Sequence, residues 1–284
     1  MVTVIDETDE DLRALIEADF GELPVGKQLS EHLLDWLTYR ARRIPARPRN
    51  LIVSAEVSEV AHLYPGLDRL VRAIRAGDDL GPWLSNSVRH GKSNHRADMM
   101  FNDWKISHFH VGPIWTSPNT VKRSGMLLYA YVNSTIIVLL NICPHGQWSS
   151  QSLLEILDRN FPDGLHEVKG VTPYHLSDQE RANLRANRVN SIIEVNGRVV
   201  MAPGMGIMST GHSMRIQSYA MHLLRNIDYF RGAIPKGETT TELRTAIIGN
   251  LSIPVRLGVR LLDGGLTIID KNRSLSLYSM ICLE

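Results

Sequence analysis

Residues 126–142 read MLLYAYVNSTIIVLLNI. Two apolar runs of strand length, Met126–Val132 and Ile136–Ile142, flank the polar step Asn133-Ser134-Thr135. That is the pattern of an antiparallel hairpin. Extending the pairing outward sets residue 145 of the second arm opposite residues 123–125 of the first. Arg123 and His145, in Pro144-His145-Gly146, therefore meet at the open end of the hairpin.

Upstream, residues 102–112 read NDWKISHFHVG. On a strand His108 and His110 point to one face, with Phe109 and Val111 on the other. If this strand joins the same sheet, His108, His110, Arg123 and His145 converge, with Lys105 and Lys122 close in sequence. Imidazoles that titrate near neutral pH, set beside a cation, suit metal-free phosphodiester chemistry. In that reading His108 is the base, His110 the acid and His145 an assistant. Arg123, Lys122 and Lys105 hold phosphate, and Trp148 stacks a base. The same histidines, with Asp103 as the nearest supporting carboxylate, also give a zinc reading. Their spacing matches no metal signature and the chain holds no Walker loop, Gly-x-Ser-x-Gly or His-Glu-x-x-His, so neither metal nor cofactor is expected. Cys143 reads as a small buried hydrophobe. Gly204-Met205-Gly206 is a weak phosphate-cradle pattern, and the surrounding methionines point instead to an adaptable apolar contact.

Around this centre the chain is ordinary in composition: 284 residues, 43% hydrophobic and 21% charged. Thirty-one basic residues face thirty acidic ones, a net of +1, so any affinity for nucleic acid must come from local clustering. Two cysteines exclude a disulfide scaffold. The longest apolar run, Ile136–Leu140, is far short of the roughly 20 residues of a spanning helix, and no basic-then-apolar leader opens the chain. A cytoplasmic protein with no membrane partner is expected.

The first hundred residues read as helices: Glu7–Asp19, which is acidic, then 29–44, Ile52–His62 and Leu67–Ala76, with Gly77 as a C-cap. The second helix ends in Arg40, Arg42 and Arg43, followed by Arg47 and Arg49, a candidate phosphate or acidic-partner patch. Residues 89–96 form a basic connector. Beyond the hairpin come a helix at Gln151–Asn160, one at Asp178–Asn187 with Ser177 and Glu180 as a capping box, a hairpin at Asn196-Gly197 and a long helix at Met214–Phe230. Strands are expected at Val255–Leu262, Leu266–Ile269 and Leu275–Ile281. The expected class is α+β: a helical N-terminal part (1–97), then a mixed, mainly antiparallel sheet with flanking helices (98–284).

The segment from about 98 to 163 resembles the core of the RelE/ParE type of bacterial toxin. The shared layout is a strand (His108–Val111), Arg123 leading a second strand, and a hairpin partner running into Pro144-His145-Gly146. The resemblance implies ribosome-dependent mRNA cleavage, or gyrase inhibition in the family's other branch. The chain departs from that family in its greater length, its neutral charge and its helical additions. The string Trp104–His110 is also similar to a segment of uncharacterised bacterial proteins, which brings no function with it. The leading expectation is a metal-independent endoribonuclease or RNA-binding toxin or phage-defence protein. One alternative is a non-enzymatic interaction module that meets a second copy or a protein partner through the N-terminal helices. The other is a metal-dependent hydrolase using His108, His110 and His145.

Overall fold

In chain order the strands are β1 (Val4–Asp6), β2 (Asn50–Val53), β3 (Ile106–His110), β4 (Trp115–Ser117), β5 (Thr120–Val121), β6 (Met126–Val132), β7 (Ile136–Pro144), β8 (His166–Glu167), β9 (Ile193–Val195), β10 (Arg198–Met201), β11 (Val255–Leu262), β12 (Gly265–Asp270) and β13 (Leu275–Ser279). The helices are α1 (Thr8–Phe20), α2 (Leu29–Arg42), α3 (Ala55–Val60), α4 (Gly66–Ala76), α5 (Met99–Trp104), α6 (Gln151–Asn160), α7 (Asp178–Ala186), α8 (Met214–Lys236) and α9 (Thr241–Ile248). The computed structural model describes every residue except 1, 86, 87, 89–97, 113, 114, 118, 119, 124, 148, 174, 188, 209, 210, 240, 250, 251 and 281–284. The expected basic connector and Trp148 lie outside the described residues. The fold is α+β, and among the described residues no helix is long and apolar enough to cross a membrane.

The chain divides into two units, residues 1–37 with 216–284, and residues 38–215. The division does not fall near residue 97, because two short N-terminal strands take distant partners. β1 pairs in parallel with β11, Val4 against Val255, and β2 pairs in parallel with β7, Asn50 against Ile136. β2 also corrects the helix expected at Ile52–His62. The segment is a strand up to Val53, then α3 and a 3-10 turn. Ser54 makes the change of direction: its hydroxyl accepts from the Val57 amide at 3.1 Å and donates to the Leu140 carbonyl at 2.7 Å.

In the first unit the sheet order is β1-β11-β12-β13. Leu12 and Ile16 of α1 are fully buried. The acidic residues of this region have local partners. Lys271 donates to Glu7 at 2.8 Å and Asp11 at 2.6 Å, and Arg231 donates to Asp6 at 2.5 Å and Asp9 at 2.9 Å.

The second unit is built on the sheet β2-β7-β6-β3. Side-chain alternation splits its core in two. Phe109, Val111, Leu128, Ala130 and Leu139 pack with Leu70 and Ile74 of α4 on one face. Ile106, Leu127, Tyr129, Val138 and Leu140 pack with Leu153 and Leu157 of α6 on the other. The period of two puts His108 and His110 on the second face, with Ile106. The Gly77 C-cap has φ 78°, and the Ser177–Glu180 capping box forms as expected.

Candidate functional site

β3 is an edge strand, paired antiparallel with β6 in the register His108 opposite Tyr129 and His110 opposite Leu127. β6 pairs with β7 so that Met126 faces Pro144, and one residue further the His145 amide donates to the Gly125 carbonyl at 3.3 Å. The strand order thus carries His145 to the end of the sheet where β3 presents its histidines. The His108 and His145 rings lie 6.2 Å apart between centroids, edge to face at 74°. The Tyr129 ring also lies 6.2 Å from His108, tilted at 48°.

A close backbone approach sets the position of Arg123. A Cβ on Gly112 would fall 1.9 Å from the Lys122 carbonyl oxygen, so only glycine lets the segment before β6 lie against the end of β3. Lys122, Arg123 and His145 are exposed, while His108 and His110 are buried, at 9% and 8% exposure.

Burial is the first cause of the imidazole electrostatics. It pushes the His108 pKa below the usual histidine range; Asp98 opposes the shift, and Arg42, His145 and Arg123 add to it. His110 falls to about 4, through burial first and then Arg123, His108 and His145. Both rings are therefore neutral near pH 7. A neutral imidazole is a far weaker acid than an imidazolium, which weighs against the acid role expected of His110. Its Nδ1 is buried without a hydrogen-bond partner. Burial pushes the Tyr129 phenol up to about 12, and its hydroxyl lies under the backbone of Gly146 and Gln147 without a well-formed hydrogen bond. Cys143 is half-buried and burial raises its thiol pKa, which suits packing rather than attack.

Behind His108 stands a carboxylate that the sequence reading passed over. Asp98 Oδ2 lies 3.5 Å from His108 Nδ1 and accepts from Arg42 Nη2 at 2.7 Å. Its Oδ1 accepts from the Phe101 amide at 3.1 Å, capping α5. Asp103, the expected supporting carboxylate, instead pairs with Arg185 in the interior. The only sequence signal for Asp98 is its place as an N-cap before Met99–Trp104; the chain reversal through Lys105, at φ 56°, returns β3 past it.

The remaining candidates disperse. Lys105 sits at the start of β3, where its carbonyl accepts from the Val132 amide, about 16 Å along the strand from His110. It is not part of the cluster. Arg42 is buried against Asp98, and Arg49 is buried and donates to the Asn133 and Pro45 carbonyls. Arg43 lies over the Tyr39 ring, and Arg40 is half-buried on α2. The arginine run is therefore not one phosphate patch, because Arg42 and Arg49 turn inward. Gly204 abuts the Asn102 carbonyl and donates its amide to Asp103 at 2.7 Å, so the glycine–methionine loop buttresses α5 rather than cradling phosphate.

Among the described residues no three His, Cys, Asp or Glu side chains are arranged to hold one metal ion. A cavity of about 10 Å³ lies beside His108, lined by Arg42, Asp98 and Ser107 among others. That is room for one water at most. A larger hollow of about 520 Å³, lined by Gln151, Glu155, Arg181 and Glu194, has none of the three clustered histidines in its wall. Compared with known proteins, the chain matches no family model, no curated protein and no solved structure.

Proposed function

We propose that this protein cleaves RNA without a metal ion. The observation that carries the reading is the edge-to-face pair His108–His145, 6.2 Å apart, with Arg123 close enough to both strand histidines to depress their protonation. Neutral His108 takes the proton of a ribose 2′-hydroxyl. The 2′-oxygen bonds to the adjacent phosphorus. Arg123 and Lys122 offset the charge that builds on the phosphoryl oxygens. His145, in its imidazolium form, gives a proton to the departing 5′-oxygen as the P–O5′ bond breaks. The products are a 2′,3′-cyclic phosphate and a 5′-hydroxyl, so atoms and protons balance. Relative to the sequence reading, the acid role passes from His110 to His145, because His145 is exposed and His110 is held neutral.

The order β3-β6-β7, with Arg123 ahead of β6 and His145 after β7, also supports the resemblance to the RelE/ParE toxin core. A toxin or phage-defence role belongs to the same proposal. The test is cleavage of RNA oligonucleotides in EDTA. His108→Ala and His145→Ala are each expected to lower the rate by about 10²–10⁴-fold, the usual weight of an acid or base. Full activity in the double variant overturns the reading. The burial of both strand histidines favours a second reading, an interaction module without catalysis. That reading predicts no cleavage by the wild type and unchanged partner binding in His145→Ala.

A further inference from the structure

We propose that Asp98 is a positioning residue for His108: its carboxylate holds the Nδ1–H of the imidazole, leaving Nε2 as the proton acceptor, and Arg42 fixes Asp98 in turn. The inference rests on His108 being the base of the proposed reaction.

Three geometric facts carry it. Asp98 caps α5 through Oδ1 alone, at 3.1 Å from the Phe101 amide, so its second oxygen serves something else. That oxygen lies 2.7 Å from Arg42 Nη2 and 3.5 Å from His108 Nδ1. Asp98 and Arg42 are each 6% exposed, and they arrive from different elements, α5 and α2. A cap needs no buried arginine. A buried carboxylate matched by one guanidinium is already balanced in charge, so the third member of the row stays uncharged. An ionised carboxylate only accepts hydrogen bonds, so the neutral imidazole beside it donates from Nδ1. The unprotonated nitrogen is then Nε2, on the far side of the ring from Asp98.

The groups facing His108 are Asp98 on α5, Arg42 on α2, His110 on its own strand, Tyr129 on β6, His145 on the β7 turn and Arg123 ahead of β6. Among these described groups only Asp98 is acidic. Removing it should lower the His108 titration midpoint, and removing Arg42 should raise it. A role confined to packing does not produce opposite signs from two partners of one ion pair.

The experiment is a two-bond ¹H–¹⁵N imidazole spectrum of the full-length protein, with His108 assigned by its loss in His108→Gln. The wild type is expected to show the Nδ1–H tautomer. Asp98→Asn keeps the helix cap, because asparagine caps as well as aspartate. It turns an amide donor toward Nδ1, so the tautomer should switch to Nε2–H, with the midpoint lower by about one pH unit. Arg42→Met should raise the midpoint by a similar amount. If Asp98→Asn fails to fold with Arg42 left unpaired, the double variant Arg42→Met/Asp98→Asn buries no lone charge and should show the same Nε2–H tautomer. An Nε2–H tautomer in the wild type, shifts of the same sign in both single variants, or no shift in either overturns the proposal. These readouts need no RNA. If cleavage is absent but the tautomer switches, the positioning stands and the ribonuclease reading fails.

Discussion

A histidine buried beside an arginine gives up its proton more readily than one in water, and His110 links that fact to stability. Its pKa is about 4 in the folded chain against an ordinary value of 6.5. Between these two values the unfolded chain binds more protons than the folded one. Stability contributed by the neutral ring is therefore complete above pH 6.5 and is lost as pH falls toward 4. His108 acts in the same direction. We expect the melting temperature to drop over pH 6.5 to 4, and His110→Phe to flatten that drop; an unchanged profile in the variant would show that His110 is not the proton-linked group. The histidines and Arg123 were legible in sequence because period-two alternation and a two-arm hairpin fix both face and end. Asp98 was not, since its approach to His108 depends on a left-handed residue at Lys105 and on helix α2 delivering Arg42. The low pKa of His110 was hidden for a related reason: the sequence shows which face a residue points to, but not how far it is buried.

At the scale of elements, two joints fix the second unit, the first of them beside the site. The first is the contact between Gly112 and the Lys122 carbonyl. Gly112→Ala forces these backbones apart, and overpacking of this kind costs about 1–3 kcal/mol. It should also displace Arg123, so cleavage should fall more than stability alone explains; a variant that unfolds earlier yet keeps its rate per folded molecule would contradict this. The second joint is Ser54, fully buried, which caps α3 and donates to Leu140. Ser54→Ala should lower the free energy of unfolding by about 1–3 kcal/mol in urea titration, because a cap and a buried carbonyl lose their partner together. The strands β6, β7, β9 to β13 and the helices α4, α6, α7 and α8 were readable from periodicity, turns and caps. β1 and β2 were not. Three or four residues give too little alternation to see, and their partners lie far away in the chain.

Across the whole molecule, a net charge of +1 leaves nucleic-acid affinity to local cations. Among the described residues, Arg123, which acts on both strand histidines, and its neighbour Lys122 are exposed cations. Each phosphate contact on a single strand contributes about −0.7 to the slope of log affinity against log salt, so removing both should make the slope shallower by about 1.4. A Lys122→Ala/Arg123→Ala protein with the wild-type slope would place RNA on another surface. In the first unit the acidic residues Asp6, Glu7, Asp9 and Asp11 are engaged locally by Arg231 and Lys271. The division of the chain follows the distant pairings of β1 and β2 rather than the change in composition near residue 97.

The most direct measurement is the product formed in EDTA from an RNA oligonucleotide and from its 2′-O-methyl counterpart, with wild type and His108→Ala/His145→Ala side by side. A 2′,3′-cyclic phosphate is expected from RNA and the wild type only. Cleavage of the 2′-O-methyl strand, cleavage that persists in the double variant, or no cleavage of RNA by the wild type would contradict it.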